Sequence, residues 1–461
     1  MQLKDTYEAL PVKPGQKIEI RIESYGHEGE GVGRYQNFTV FVPEVLRGEL
    51  VLVKITEVKK NFGRGIALQI VEPSPERIIP LCSSAADCGG CQLQHLGYDN
   101  QLILKQQRVI DAVERIGGLK DVNICPVMGM TEPWHYRNKA QYPLGMKDAA
   151  VEMGFYRKGT HQIVPLKDCL LQTKMSNQIA DKVRQLVETY HVPVYNELNH
   201  SGLLRHVLIK QGSLTGEVMV AFITRNQPFP AAGKIAHELV SLFPEIKSIV
   251  QNVNDAHGNV ILGPDTSVIW GRDIITEHIG SFKFKIAAES FFQVNPLQTE
   301  MLYRKAVEYA GLTGGETVLD AYCGVGSLTL FLAEKAKKVY GIEVVKEAVK
   351  NAVENAALNQ VKNVKFVVGA TEKVLPQLVK EGVAFQVAVV DPPRSGCEEA
   401  VLTSFAESKV GRIVYVSCNP STLGRDLKIL DGLGYRAVEI QPVDMFPHTY
   451  HIECVTRIER R

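Results

Sequence analysis

The sequence lacks both an excess of charge of one sign and any long apolar run. Its 52 Lys and Arg nearly balance 51 Asp and Glu, for a formal net charge of +1, so any nucleic-acid surface must be a local patch. No stretch reaches the ~18 consecutive apolar residues of a membrane-spanning helix, and the N-terminal MQLKDTYEALPVKPG has no apolar signal core. We therefore expect a cytoplasmic, monomeric protein that does not contact a membrane.

Cysteine is sparse, and its odd count of nine argues against a secreted disulfide framework. Three cysteines nevertheless lie within ten residues, at Cys82, Cys88 and Cys91, which in a cytosolic protein indicates a metal site. Zinc sites usually use two C-x2-C pairs, and a second pair is missing, so the fourth ligand must be isolated, either Cys125 or Cys169. This arrangement suits a [4Fe–4S] cluster, with zinc as the alternative.

At 461 residues the chain is long enough for about three domains. Residues 1–75 contain short strands separated by glycine turns, which predicts a small β-barrel. Residues 76–285 predict a mixed α+β middle domain that holds the metal site. Over residues 286–461 strands and helices alternate, which predicts a doubly wound parallel α/β sheet.

A glycine-rich turn follows the first strand of this predicted sheet, in DAYCGVG, with Asp320, Gly324 and Gly326. Such a turn lets a ligand approach the backbone closely. The dinucleotide fingerprint expects a third glycine, but residue 329 is threonine. The acid before the loop, together with Glu343 at the end of the next predicted strand, resembles the S-adenosylmethionine (AdoMet) site of class I methyltransferases. A generic glycine turn is the alternative.

Two more predicted strands end on the same rim of the sheet. FQVAVV runs into Asp391-Pro-Pro-Arg394, and RIVYVS runs into Cys418. Because the carboxyl ends of parallel strands meet at one edge, we expect Asp391 and Cys418 to lie beside the glycine loop. A cysteine is most often buried and inert, but this location favours a nucleophile. Arg394, where amine methyltransferases often carry an aromatic residue, disfavours an amine or amide target.

A methyl donor beside a thiol indicates methylation at C5 of a pyrimidine. C5 is a poor nucleophile until a thiolate adds to C6, and a base must afterwards remove the C5 proton so that the thiol can leave. Glu453, in FPHTYHIECV, is the candidate base, with an exposed carboxylate at a strand edge as the alternative. Its neighbour Cys454 points to the opposite face and belongs to the core. Cys397, in DPPRSGC, could be mistaken for the nucleophile.

Five segments occur in the order FFQVN, DAYCGVGSLTL, DPPRSG, VSCNPSTLGRD and FPHTYHIE. With them the chain resembles the RNA uracil-C5-methyltransferase family, most closely its 23S ribosomal RNA members. Related cytosine enzymes carry a cysteine directly after a proline, where this chain has Arg394, so the departure favours uracil. The resemblance implies that Cys418 is the nucleophile and Glu453 the base. It also implies that AdoMet is held by Gln293, Tyr322, Glu343 and Asp391, beside Gly324 and Gly326 of the loop.

The resemblance covers nearly the whole chain. It implies that the N-terminal barrel is a TRAM domain, an oligonucleotide-binding-like fold tied to RNA modification. It also implies a structural [4Fe–4S] cluster whose ligands are Cys82, Cys88, Cys91 and Cys169. The implied product is 5-methyluridine in 23S rRNA, as part of rRNA processing, from a flipped or single-stranded uridine. The alternatives are a tRNA uracil-C5-methyltransferase, a non-catalytic RNA-binding iron–sulfur protein and a protein-amide methyltransferase.

The segment WHYRNKAQY, after the three clustered cysteines, interleaves basic and aromatic residues. On a strand, His135, Arg137, Lys139 and Gln141 would share one face. Such a face can stack bases and neutralise phosphates, so it is a candidate RNA-binding surface. An ordinary solvated hairpin face is the alternative.

Overall fold

The computed structural model describes residues 10–26, 28–166 and 168–461. Most of the N-terminal segment that was considered for a signal core lies outside these residues. Within them, the strands form four sheets: a closed barrel, a seven-stranded mixed sheet, a two-stranded hairpin and an eight-stranded, largely parallel sheet. The predicted fold class is therefore confirmed. In the described part of the chain, no helix is both long and apolar enough to cross a bilayer.

A closed five-stranded barrel forms the N-terminal part, with strand order β1-β2-β3-β5-β4. Its strands are β1 Lys17–Tyr25, β2 Gly31–Tyr35, β3 Phe38–Val42, β4 Leu50–Val58 and β5 Phe62–Glu72. Along β1 every second residue is buried, at Ile18, Ile20 and Ile22, which is the period-two pattern of a barrel wall. At Gly33 a Cβ would lie 2.5 Å from the Arg21 carbonyl oxygen, so the close approach of β1 and β2 requires glycine there.

The middle part is built around a seven-stranded sheet of order β13-β12-β11-β10-β7-β8-β9, followed by the hairpin β14-β15. The Thr173 side chain caps its second helix by accepting from the Ser176 N–H. The elements are α1 Tyr98–Arg115, β6 Asn123–Ile124, β7 Lys139–Lys147, β8 Ala150–Tyr156, β9 Ile163–Pro165, α2 Lys174–Thr189, β10 Leu204–Gln211, β11 Val218–Thr224, α3 Ala232–Leu242, β12 Ile246–Val253, β13 Asp265–Gly271, β14 Ile275–Ile279 and β15 Phe282–Ile286.

The C-terminal part is an eight-stranded sheet with helices on both faces, of order β18-β17-β16-β19-β20-β22-β21-β6. Its core strands β16 to β20 pair in parallel, and β22 pairs antiparallel with β20. The elements are α4 Pro296–Ala310, β16 Thr317–Ala321, α5 Ser327–Ala333, β17 Lys338–Glu343, α6 Lys346–Leu358, β18 Val364–Val368, α7 Thr371–Lys380, β19 Val387–Val390, α8 Glu399–Glu407, β20 Arg412–Ser417, α9 Pro420–Gly432, β21 Tyr435–Val443 and β22 Glu453–Arg460.

Helix α1 and strand β6 join this C-terminal sheet although they precede the middle sheet in sequence. β6 pairs in parallel with β21, and Val109 and Val113 of α1 lie in the core of the C-terminal part. A buried ion pair ties α1 to the segment that follows β21, because Lys105 Nζ lies 2.5 Å from Asp444 Oδ1 and both side chains are 0% exposed. Asp444 leads into the 446–451 loop, so α1 holds the start of the segment that connects to Glu453.

We expect Lys105→Met to lower the free energy of unfolding by about 3–5 kcal/mol, because it leaves the buried Asp444 carboxylate without its cation. Tyr98 still donates a hydrogen bond to Asp444 Oδ2, at 3.0 Å, which compensates only part of the charge. Urea unfolding measures the loss. Lys350→Met is the control, since its pair with Glu347 is exposed and surface pairs contribute at most about 1 kcal/mol. Equal losses in the two variants would contradict the assignment.

Candidate active site

Two carboxylates hold the glycine-rich loop after β16. Asp320 is buried and its Oδ2 accepts a hydrogen bond from the Thr329 hydroxyl at 2.5 Å. Burial, opposed by that bond, raises the pKa of Asp320 to about 7. Glu343, at the end of β17, accepts from the backbone N–H of Gly324 at 3.2 Å and from that of Val345 at 2.9 Å. The ends of β16 and β17 are thereby held around the glycine-rich loop.

The two glycines of this loop serve different purposes. Both have positive φ, 54° at Gly324 and 81° at Gly326. A Cβ at Gly326 would lie 3.1 Å from Ala352 Cβ and from the Phe366 ring, so glycine permits close packing of the helix on the sheet. A Cβ at Gly324 would meet nothing within 4 Å, so this glycine leaves open space above the loop. Tyr322, at φ 67°, takes the same left-handed region despite its side chain, which costs roughly 1–2 kcal/mol.

Asp391, Cys418 and Glu453 lie together on the rim beside this loop. The strand order predicted this position for Asp391 and Cys418, and the family resemblance predicted it for Glu453. Burial raises the pKa of Asp391 to about 7. Burial, and then the Asp391 charge, raise the pKa of Glu453 well above its ordinary range, while Arg394 opposes the shift. Glu453 is 6% exposed, so the exposed strand-edge alternative is wrong. Together with Arg394, these three side chains form one mutually interacting group.

The Cys418 thiol is partly buried at the end of β20. Burial first, and then the Glu453 and Asp391 charges, raise its pKa to about 12, and Arg394 lowers it. The free protein therefore holds this group as a thiol at neutral pH. A carboxylate whose pKa is raised is also a better proton acceptor once it is ionised. Cys418 is therefore suited to give up a proton and Glu453 to accept one.

We expect alkylation of Cys418 by iodoacetamide to accelerate about tenfold per pH unit between pH 7 and 9. Only the thiolate reacts, and its fraction grows tenfold per unit while the pH stays below the thiol pKa of about 12. Peptide mass spectrometry resolves the rate at Cys418 from the rates at other cysteines. A rate that levels off below pH 8 would show that the thiol is activated in the free protein, against this electrostatic description.

The neighbouring cysteines are inert by location. Cys454 is 0% exposed and lies in the sheet core, as predicted, and Cys397 is 4% exposed. The Cys397 N–H donates to Asp426 Oδ2 at 2.8 Å, and the Tyr415 hydroxyl donates to the same oxygen at 2.6 Å. Cys397 therefore belongs to a buried network, whereas Cys418 interacts with the carboxylates of Glu453 and Asp391.

The sequence did not point to two further side chains of the site, Tyr303 and His451. Burial, and then the Asp391 charge, raise the pKa of Tyr303, whose hydroxyl lies 2.9 Å from Ser327 Oγ. Burial, and then the Arg394 charge, lower the pKa of His451 to about 4, so it is a neutral imidazole. His451 precedes Glu453 by two residues, and this spacing was the available signal. Tyr303 had none, because it lies within a helix.

Gln293 is positioned by a contact between the middle and C-terminal parts. The Asn138 side-chain amide donates to the Gln293 carbonyl oxygen at 3.2 Å, and the Gln293 side chain is partly buried. Two residues later, Asn295 caps α4 by accepting from the Gln298 N–H, and Pro296 is the first helical residue, a favourable helix start. The segment FFQVN thus leads directly into helix α4.

Four cysteines line one cavity of about 320 Å³: Cys82, Cys88, Cys91 and Cys169. Burial raises the pKa of Cys91 to about 12 and raises that of Cys169, which the Arg137 charge opposes. Cys125 lies elsewhere, beside Tyr309 and Glu439. The described residues contain no group of three or more His, Cys, Asp or Glu arranged to hold a metal ion.

The predicted RNA-binding face is different in the structure. Strand β7 begins only at Lys139, and His135 has φ 53° with its Nδ1 2.7 Å from the Gln172 carbonyl oxygen. The prediction that all four polar residues share one strand face is therefore wrong, because the chain turns before the strand begins. Arg137, Lys139 and Gln141 instead line the cysteine cavity.

Comparison with known families gives two matches along this chain. Residues 263–461 match the tRNA (uracil-5-)-methyltransferase family, and residues 11–68 match the TRAM domain. The first range contains Gly324, Cys418 and Glu453. The second contains nearly all of the closed barrel.

Whole-length relatives agree with these matches. An RNA methyltransferase of Bacillus cereus (strain ATCC 10987) is 49% identical over 98% of each chain, and one of Clostridium tetani is 45% identical over 97% of each. Among solved structures, the tRNA (uracil-54, C5)-methyltransferase of Pyrococcus abyssi, in complex with S-adenosyl-L-homocysteine, superposes with a TM-score of 0.77. It is 30% identical and covers 96% of this chain and 100% of its own.

Proposed function

The chain belongs to the RNA uracil-C5-methyltransferase family, and from this premise we propose that it methylates uracil C5 in 23S rRNA through a covalent adduct on Cys418. The AdoMet dependence of the reaction follows from the family. The observation that most supports the covalent route is the shared burial of Cys418 and Glu453 beside the glycine loop. A non-catalytic RNA-binding role gives no reason to bury these two groups together.

The residues of the rim fit AdoMet. Gly324 leaves open space above the loop, and Glu343 retains lone pairs for ribose hydroxyls beyond its two backbone hydrogen bonds. Asp391, Tyr322 and Gln293 complete the proposed binding residues. When bound, AdoMet supplies an electrophilic methyl group beside Cys418.

The proposed reaction assigns one task to each protein group. Cys418 gives its proton to solvent and its sulfur bonds to uracil C6, which places negative charge on the ring and makes C5 nucleophilic. C5 would then accept the methyl group that bound AdoMet supplies, with S-adenosylhomocysteine as the leaving group. Glu453 removes the C5 proton, the ring double bond re-forms and the C6–S bond breaks, which releases 5-methyluridine and the thiolate. Arg394 stabilises the thiolate form, because its charge lowers the pKa of Cys418 against the larger effect of burial.

The four-cysteine cavity and the barrel support 23S rRNA as the substrate, through the resemblance to the ribosomal members. A second candidate is tRNA, which the whole-length similarity to the Pyrococcus abyssi tRNA enzyme favours. The two substrates are separated by mapping 5-methyluridine in rRNA and tRNA from a strain lacking this protein. We expect a site in 23S rRNA to lose its methyl group and to regain it with the wild-type chain but not with Cys418→Ala. Loss confined to tRNA would overturn the rRNA assignment and leave the chemistry intact.

We also propose a [4Fe–4S] cluster on Cys82, Cys88, Cys91 and Cys169. The residues fit it, because four thiols surround a cavity of about 320 Å³, whereas one tetrahedral zinc holds all four sulfurs at about 2.3 Å from a single point. A cluster held by four thiolates supplies a covalent cross-link between the 82–91 loop and residue 169. Anaerobic purification followed by iron, sulfide and zinc analysis tests the assignment. Zinc without sulfide would overturn it.

A cytoplasmic location and a monomeric enzyme complete the proposal. Gel filtration of the purified chain at micromolar concentration tests the second point, and a dimer would contradict it.

A further inference from the structure

The polar wall of the cysteine cavity carries positive charge. Besides the four thiols, the described residues that line it include Arg137 and Lys139 but no Asp or Glu. Both cations are partly buried. Burial, which penalises the charged form, would keep them out of such a site unless a negative group offset the cost.

Neither cation has a carboxylate partner in the described part of the chain. Arg137 and Lys139 form no ion pair among the described residues, and Arg137 Nε is buried without a hydrogen-bond partner. Buried polar groups are normally satisfied, so an unpartnered donor on Arg137, which lines this cavity, indicates an anionic acceptor there.

The local fold fixes where these cations point. Lys139 and Gln141 are alternate residues of β7 and therefore project from the same face of the sheet, toward the cavity. The Arg137 N–H donates to the Leu171 carbonyl oxygen at 2.9 Å, which holds Arg137 against the segment that carries Cys169.

We infer that Arg137 and Lys139 are the charge partners of the cluster and stabilise its negative thiolate shell. This inference rests on the proposed iron–sulfur site. Four thiolates give an oxidised [4Fe–4S] cluster net negative charge, and reduction adds another electron. Nearby cations therefore favour the reduced form and raise the reduction potential, for which net charge is a known determinant. They also retain the cluster against loss of its iron. This role replaces the RNA binding that the sequence predicted for Arg137 and Lys139.

The test uses the anaerobically purified, cluster-loaded full-length protein, with the midpoint potential and the rate of iron release to a chelator as readouts. In Arg137→Gln we expect the reduced-to-oxidised ratio at fixed potential to fall about tenfold, equal to about 59 mV for a one-electron couple. Iron release should accelerate at least severalfold. Lys139→Gln should act in the same direction. Arg137→Lys, which keeps the charge, should restore both readouts most of the way.

Lys147→Gln is the matched control, because it removes the same charge from the exposed end of the same strand, where the Lys147 side chain is 66% exposed. Circular dichroism confirms the fold of each variant. Loss of the cluster from folded Arg137→Gln, with retention in Arg137→Lys, supports the inference. Equal loss of the cluster from Arg137→Gln and Arg137→Lys would overturn the charge-partner inference. So would potentials and release rates equal to those of the Lys147→Gln control. Neither result would contradict the cluster proposal. Wild-type protein without iron and sulfide would overturn the cluster proposal itself.

Discussion

Cys418→Ala is expected to abolish methylation, with a fall in rate of roughly 10⁴-fold or more, as for loss of a covalent nucleophile. Without the C6 adduct, uracil C5 remains too weak a nucleophile to take the methyl group. AdoMet affinity should change little, because the glycine loop is held by Glu343 and Asp320 rather than by Cys418. Methyl transfer to RNA under single-turnover conditions measures the effect.

The matched control is Cys397→Ala, which removes a buried thiol of the same region whose backbone N–H donates to Asp426. We expect its rate to stay within a few-fold of wild type. If Cys397→Ala were inactive and Cys418→Ala were active, the nucleophile would be misassigned. If both were fully active, the covalent route would be wrong.

Glu453→Gln is expected to stop the reaction one step later than Cys418→Ala. The amide cannot accept the C5 proton, so the methylated adduct cannot eliminate and should accumulate as a covalent complex with ordinary uridine RNA. Turnover should fall roughly 10²–10⁴-fold, the usual contribution of a positioned base. Denaturing gel electrophoresis detects the complex, and mass spectrometry shows whether the attached nucleotide carries a methyl group.

Glu459→Gln is the control for this variant, because it lies on the same strand, is 42% exposed and pairs with Arg412 at 3.3 Å. It should turn over normally and trap nothing. A slow Glu453→Gln enzyme that forms no adduct would place Glu453 before methyl transfer. A fully active one would remove it from the reaction.

Much of the fold followed from local patterns. Alternating burial on β1 and the change to alternating strands and helices after residue 286 reflect periodicities that a sequence displays directly. The partner of α1 did not follow, because periodicity gives a helix its apolar face but does not say what covers that face. Gly117 and Gly424 explain the outcome: a Cβ at Gly424 would lie 2.6 Å from the Ala112 carbonyl oxygen, so glycine lets α9 approach the end of α1 closely.

The candidate site was predictable where a topological rule applied. Asp391 and Cys418 end neighbouring parallel strands, so their proximity follows from the sheet alone. Glu453 lies on an antiparallel strand, and its location depended on the family resemblance. Arg137 and Lys139 were predicted to lie on a solvent-facing RNA-binding strand, and the structure places them on the wall of the cysteine cavity. Basic residues beside aromatic ones have the same sequence pattern in solvent and against a cavity, and the contact of Arg137 with the 169–172 segment distinguishes the two.

The central claim is a covalent bond between Cys418 and uracil C6, and a fluorinated RNA tests it most directly. Incubation of the wild-type enzyme with AdoMet and 5-fluorouridine-containing RNA should give a complex stable to denaturation, because fluorine at C5 cannot leave as a proton. Mass spectrometry should find the methylated nucleotide attached to the Cys418 peptide and to no other. Attachment at another cysteine, or normal methylation of uridine RNA by an enzyme that forms no complex with the fluorinated RNA, would contradict the account.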